Sequence, residues 1–466
     1  MELPDFKTEN KALFDAIDKV VPPSMNIYLV GGAVRDIVLG RQVRDYDFCC
    51  EGLVRPIGKH IADELGGAYY VLDDERDMVR AIVDDEQMGQ FDIDIALISG
   101  EDISEDLRER DFTFNAMAIK IGENPVFVDP LNGLADLQQK KLRMCGPESL
   151  NNDPMRALRA IRMSLEFGLE MDEGLLDAMM KIHDRLPESS MERYRDEMFK
   201  IIRLYQNDDA VRMYQQFNFL SYLFPGMEKK DSDLDLGWVK NTDSFALLLT
   251  QKQDLNKISD DYALYASSRL GNFQEALRAF FDKTLALYHN RLMLMAFTAI
   301  VKTLSDDVET VKNWCRRLTF SSSEMNFVES AFKSHTYLNS LSDVTTFSDV
   351  DIYRYFGKYK EGGVAGLVLF LSQAYAMRDI PHAYKEWCDK VVFVQALISA
   401  YFTRYMEVIS PTPLLSGHNI QELLNIPAGP NVGAIKNSLI EAQIRGSVKT
   451  LSEAESFVRQ QAKHYV

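Results

Sequence analysis

The chain has 466 residues, 46% hydrophobic and 26% charged, which is ordinary for a folded protein but too long for one hydrophobic core. No apolar run is long enough to span a bilayer, and the start MELPDFKTEN lacks the basic and apolar stretches of a signal peptide, so a cytoplasmic protein with no membrane contact is expected. The formal charge of −18 argues against a nucleic-acid partner unless a basic groove is built locally, because phosphate binding depends on Lys and Arg. Five scattered cysteines (Cys49, Cys50, Cys145, Cys315, Cys388) argue against a disulfide framework or a zinc site. The seven histidines form no ligand-spaced pair, and the dipeptide His183-Asp184 reads as a helix-surface pair rather than a phosphohydrolase site.

In chain order, residues 1–24 have the pattern of an amphipathic lead-in helix, with Leu13, Phe14, Ile17 and Val20 on one face and Pro22-Pro23 at its end, expected to cover the sheet edge. Residues 28–30 predict a buried strand that stops at Gly31-Gly32, where missing side chains let a backbone approach an anionic ligand. Residues 33–39 have helical spacing, place Arg35 and Asp36 in the first turn and end at Gly40. Asp45 and Asp47 then alternate with Tyr46 and Phe48, so in a strand both carboxylates project from one face and can clamp a hard cation. Residues 59–65 predict a helix closed by Gly66-Gly67, and residues 68–72, 79–83 and 91–98 complete a small sheet. Asp94 in the last strand is placed to share the face of Asp45 and Asp47.

These residues resemble the class II tRNA nucleotidyltransferases, which comprise CCA-adding, CC-adding and A-adding enzymes, together with the related bacterial poly(A) polymerases. The resemblance continues downstream: ERDFTFNA at 109–116 is similar to an RRDFTxNA element, DPLNG at 129–133 with Asp136-Leu137 to DPxNGxxDL, and NDPMR at 152–156 to EDxxR, followed by SMER at 190–193. Five ordered matches fall within about the first 200 residues. Three positions depart from the pattern: Glu109 stands for the first Arg of RRD, Asn152 for Glu, and Ser99 for an Arg that commonly follows the strand of Asp94. The resemblance also implies a mobile loop between that strand and the RRD element that helps switch from adding C to adding A. Residues 99–108 leave hardly room for one, as in relatives that add only the two cytidines.

From about residue 144 strand signals fade and helical periodicity takes over, with Pro154 at a helix start. Arg156, Arg159 and Arg162 repeat every three residues, so they are expected along one helix face, either as a solvated basic stripe or as part of a site. Asp153 and Arg156, at i and i+3, are expected to pair and present a fixed set of acceptors and donors to the edge of a base. The resemblance makes this pair the protein template for the incoming nucleotide and makes residues 191–204 a brace for its helix. The aromatic stripes of Tyr214, Phe217 and residues 219–224 read as core, and the polar runs 228–235 and 254–261 as loops. Breaks fall at Gly362-Gly363 and in the polar link 410–416. In the closing segment, Pro430 and Gly433 would open a helix toward phosphate, and Lys436, Arg445, Lys449, Arg459 and Lys463 mark either a solvated helix face or a contact to a tRNA elbow.

The expected architecture is α+β: a nucleotidyltransferase head with a small mixed sheet at 1–141, then an all-α neck at 142–205, body at 206–330 and tail at 331–466. The resemblance implies transfer of CMP from CTP, and of AMP from ATP if the full CCA end is made, to the tRNA 3′ end. Asp45 and Asp47 would hold Mg2+, with Asp94 as third carboxylate. Gly31, Gly32, Arg35 and Arg110 would orient the triphosphate, Asp111 and Asn115 the sugar or base surroundings, and Asp153, Arg156, Arg159 and Arg162 the base. Poly(A) polymerase or A-only addition and a silent RNA-binding scaffold are the competing expectations, and nothing in the sequence sets an oligomeric state.

Overall fold

The computed structural model describes residues 6–75, 77–85, 89–227, 229, 234–251, 260–286, 289–341, 347–376, 378 and 383–463, and it divides into two compact units, Met1–Glu197 and Met198–Val466. Most of the expected polar loops 228–235 and 254–261 lie outside the described residues. No described helix is long and apolar enough to cross a membrane.

The first unit is built on β1 (Ile27–Val30), β2 (Asp45–Cys50), β3 (Ala68–Asp73), β4 (Met78–Asp85), β5 (Gly89–Leu97), β6 (Ala118–Lys120) and β7 (Val126–Val128), with helices α1 (Lys11–Val20), α2 (Gly32–Val38), α3 (Val54–Glu64), α4 (Ile103–Arg108) and α5 (Gly133–Gln138). The seven strands form one sheet in the order β3-β4-β5-β2-β1-β6-β7. Only the β2–β5 pairing in it is parallel. Period two sorts each strand by chemistry: Tyr46, Phe48 and Cys50 of β2 join Leu29, Val79, Ala81, Val83, Ile93 and Ile95 in one buried cluster with residues of α1 and α3. Asp45, Asp47 and Cys49 therefore face the other way, where α4 covers part of the sheet with Ile103 and Leu107.

The lead-in helix is capped by Asn10, whose side chain accepts the Leu13 N–H at 3.2 Å. It covers a face and not the expected edge: the Phe14 ring meets Tyr46 of the central strand β2 edge-on at 6.3 Å, because its apolar stripe needs the apolar side of the sheet. The helix expected over 59–65 starts earlier, at Val54.

Short helical and strand pieces follow: β8 (Lys141–Leu142), α6 (Ser149–Asn152), α7 (Met155–Phe167), β9 (Glu170–Met171), α8 (Glu173–Lys181) and α9 (Met191–Ile202). Its parallel pairing with β8 makes β9 a small exception to the all-helical expectation after residue 144.

The second unit is helical among its described residues, and its expected aromatic stripe is core: Tyr214, Phe217, Phe219 and Phe224 are all buried. A helix pair, Ser322–Asn339 and Gly362–Ala376, packs backbone to backbone at Gly366, where an added Cβ would lie 2.5 Å from Ser334 Cβ. Gly362-Gly363 thus opens a helix, after the preceding one ends at Tyr359. The last helices, Gly417–Leu424, Pro430–Ile444 and Leu451–Ala462, share a small core of Ile420, Ile435, Leu439 and Val458.

One buried acid in this unit sets a pH dependence. Burial pushes the Asp243 carboxyl up to about 7, against the donors of Asn207, whose backbone N–H and side-chain amide lie 2.9 and 2.7 Å from its oxygens. A folded pKa above the unfolded one means stability that is full below about pH 4 and is lost as pH rises through about 7, up to about 4 kcal/mol in all. Chemical denaturation of Asp243→Asn against the unsubstituted chain at pH 5 and pH 8 should find the variant gaining in relative stability at the higher pH, because an amide has no proton to lose.

Candidate active site

Gly31 ends β1 with φ +69°, a left-handed conformation that glycine tolerates, and a Cβ there would lie 3.0 Å from Arg110 Nη1 and 3.5 Å from Asp47 Oδ2. The glycine turn, the acidic strand and the ERD segment therefore converge on one point. The α2 helix that follows has only seven residues, so attraction for an anion here comes chiefly from the side chains of Arg35 and Arg110.

The parallel register pairs Asp45 with Asp92 and Asp47 with Asp94, which sets four carboxylates side by side on one face. Across β4–β5 the residue opposite Asp94 is Arg80, whose Nε and Nη2 each donate to one Asp94 oxygen at 2.7 Å while Nη1 lies 3.3 Å from Asp92. Burial, and then the negative charge of Asp94, push the Asp47 carboxyl up to about 6 against the pull of Arg110. Asp45 is raised by burial and by Asp92. Such crowding favours a bound cation, and the donors are all oxygens, the set that a hard divalent ion prefers. Asp45 and Asp47 fit that role. Among the described residues no group of three or more His, Cys, Asp and Glu side chains is placed to hold a metal ion, so a cation here would rest on the two carboxylates alone.

Arg110 is held by Asp106 at 3.0 and 3.2 Å and by Cys49 Sγ at 3.4 Å. Asp111 is buried, and burial alone would raise its pKa; Arg159, at 2.6 and 2.9 Å, with the Phe112 N–H and the Asn115 amide, brings it below the usual carboxylate range. Asn115 in turn accepts from Arg35 Nη1 at 2.9 Å, and Arg35 also grips Asp36 and lies 4.4 Å from the centre of the Phe167 ring. One chain of charge-assisted bonds thus runs from α7 through the ERD segment to α2.

On α7, Arg156 donates to the main-chain carbonyls of Arg110 and Glu109 at 3.0 and 2.8 Å and to Ser149 Oγ at 2.9 Å. Asp153 is bound by Arg193 of α9 at 2.7 and 3.2 Å. Arg162 is tied to Glu197 and Glu166 at 2.6 and 2.7 Å.

Two family models match the chain: the poly A polymerase head domain over residues 27–143, and the probable RNA and SrmB-binding site of polymerase A over residues 168–231. The chain is 25% identical to a CC-adding tRNA nucleotidyltransferase of Synechocystis, covering 93% of both chains, and 26% identical to an A-adding tRNA nucleotidyltransferase of Deinococcus radiodurans, covering 93% of this chain and 95% of that one. A CCA-adding enzyme solved in complex with ATP shares its fold with a TM-score of 0.65 at 20% identity, over 99% of this chain and 96% of the other. Residues 27–143 thus form a poly A polymerase head domain, and relatives similar over nearly the whole chain are tRNA nucleotidyltransferases.

The structure brings Gly31, Arg110 and Asp47 together with Asp45 on the same strand, and separately links Arg35, Asp111, Asn115 and Arg159; Asp94 lies beside Asp47 in the sheet with both oxygens on Arg80. The expected side-chain pairing of Asp153 with Arg156 does not form. Asp153 is extended (φ −148°, ψ 101°), and Arg156 finds carbonyls nearer than the carboxylate, which leaves Asp153 to Arg193. Nor do the three arginines share a face: a step of three residues turns 300°, so positions 156, 159 and 162 drift around the helix, and Arg162 meets α9 instead. The brace expected of 191–204 is therefore present as Arg193 and Glu197. Two of the departures meet each other, with Ser99 Oγ donating to Glu109 at 2.8 Å. Arg80 and Asp106 were not expected at the site. Arg80 has a sequence signal, since it is the one charge in the apolar run 79–83, while Asp106 gives none.

Asp111 is buried while Arg159 is partly exposed, so removing the arginine leaves a buried carboxylate short of its counter-ion but still held by the Phe112 N–H and the Asn115 amide. Arg159→Met should cost about 1–3 kcal/mol, read as a lowered thermal midpoint, and adding Asp111→Asn should restore much of it.

Proposed function

We propose that the chain adds CMP residues from CTP to the 3′ end of tRNA, releasing pyrophosphate, with the protein in place of a nucleic-acid template. The observation that carries this reading is the acidic pair Asp45 and Asp47 on one strand face, with Asp47 lying against Gly31 and Arg110, carboxylates for a cation beside a cationic seat for a triphosphate. In the resulting division of labour, the head at 1–141 supplies the chemistry, the neck at 142–205 selects the base, and the body (206–330) and tail (331–466) hold RNA.

Asp45 and Asp47 would hold Mg2+, which would lower the pKa of the attacking 3′-hydroxyl and neutralise charge on the leaving group. Arg110 and Arg35, with the open backbone at Gly31 and Gly32, orient the triphosphate. Asp111 and Asn115 fix the wall against the sugar, Asp153 and Arg156 face the base, Arg159 secures Asp111, and Arg162 secures the helix that carries them. Arg445, Lys449, Arg459 and Lys463 are exposed near the end of the chain and supply cationic contacts for the tRNA elbow.

The choice of cytidine rests on the link between β5 and α4. Residues 98–102 are short and pinned: the Ser99 N–H donates to Asp106 at 3.1 Å and the Glu101 N–H to Glu105 at 2.8 Å. No length of chain is left there for the loop that the family resemblance associates with the switch to adenosine. The A-adding relative, similar over as much of the chain, makes adenosine addition the competing reading.

Extension of a tRNA lacking its CCA end, and of one already ending in CC, decides between them on one gel. CTP alone should add two nucleotides, and ATP should neither extend that product nor start on the trimmed tRNA. A further residue with both nucleotides would reassign the chain to full CCA addition, extension by ATP alone to A addition or polyadenylation, and no extension at all to a silent scaffold. Asp45→Ala should abolish extension while leaving the fold intact.

A further inference from the structure

Asp94 stands between two claimants. The strand registers put Asp47 beside it on β2 and Arg80 beside it on β4, and strands lie about 4.8 Å apart, so a rotamer change suffices to exchange one neighbour for the other. Both of its oxygens are taken by Arg80 at 2.7 Å, in the planar two-pronged geometry that only a guanidinium supplies. The pair is nevertheless breakable, since the Arg80 side chain is 36% exposed and partly hydrated.

We propose that Arg80 is a positioning residue that sets the divalent-cation affinity of the site by holding Asp94 away from Asp45 and Asp47. With Arg80 in place the cation meets an open two-carboxylate clamp. With Arg80 withdrawn, Asp94 turns toward Asp47 and a third carboxylate is added, which tightens binding of a hard cation. The arginine also compensates four crowded acids when no cation is bound. A clamp of limited affinity suits a site from which metal-bound pyrophosphate must leave after each transfer. The inference rests on the nucleotidyltransferase reading of Asp45 and Asp47.

The test is a double-mutant cycle read by calorimetric titration with Mn2+ alone, without nucleotide or RNA. Arg80→Gln should tighten Mn2+ binding by about tenfold or more when Asp94 is present, and by less than about twofold in an Asp94→Asn background. Equal tightening in both backgrounds would reduce Arg80 to a distant charge and overturn the proposal, as would unchanged or weaker binding in the single variant. Arg80→Lys, which keeps the charge but loses the second prong, should fall between; if Arg80→Gln fails to fold, a lysine variant with unaltered affinity overturns the idea alone. A wild-type chain that binds no Mn2+ fails the nucleotidyltransferase reading and this inference together, whereas binding indifferent to residue 80 removes only the latter.

Discussion

The parallel register of β2 on β5 is the constraint on which the site depends. Because side chains alternate, the burial of Tyr46, Phe48, Ile93 and Ile95 on one face forces Asp45, Asp47, Asp92 and Asp94 together on the other. A slip of one residue would drive the carboxylates into the core and the aromatics into water, so the apolar face fixes the polar geometry. The price is crowding of like charge, visible in the raised pKa values of Asp45 and Asp47. Arg80 and Arg110 approach from opposite sides of this acidic block and offset part of that cost without closing it.

Around the block, the helical half of the first unit is tied on by charge rather than by apolar packing alone. Arg156 hangs on the carbonyls of residues 109 and 110, Arg159 on Asp111, and both come from α7, so the ERD segment cannot shift without moving that helix. The helix is in turn held by α9 through Arg193 on Asp153 and Glu197 on Arg162. Hydrogen bonds between ions are directional, and a relay of them positions side chains more narrowly than interchangeable aliphatic contacts do.

What was legible in the sequence is what local periodicity encodes. The strand, the glycine turn and the alternating acids are written within residues 28–50, and the ERD segment that supplies Arg110 stands in order downstream. What was not legible is pairing that depends on register between distant segments. Arg80 lies 14 residues from Asp94 in sequence and directly across from it in the sheet, a relation that no window of either strand displays. The Asp153–Arg156 expectation failed for a related reason: spacing i to i+3 permits a contact only if both residues are helical, and Asp153 is extended just ahead of the helix. Its carboxylate then goes to whichever arginine the tertiary fold brings near. The lead-in helix was recognised by its stripe, yet the stripe does not say which apolar surface it will meet.

The net charge of −18 would mislead if taken as a property of the site. Screening at physiological salt confines each charge to about 8 Å, so a ligand responds to its neighbourhood and not to the sum over the chain. The neighbourhood has both signs at close range: Arg110 and Asp47 meet at Gly31, with Arg35, Arg156 and Arg159 bonded into the segment that carries Arg110 and with Asp45, Asp92 and Asp94 beside Asp47 on the sheet. A triphosphate with a divalent cation carries the complementary pattern, anionic where the arginines lie and cationic where the acids do. Neither a uniformly basic groove nor a uniformly acidic one would orient such a ligand, because both would attract it without telling its ends apart. The acidic excess elsewhere leaves this local polarity intact, and that polarity is the feature of the chain that chemistry at a phosphate requires.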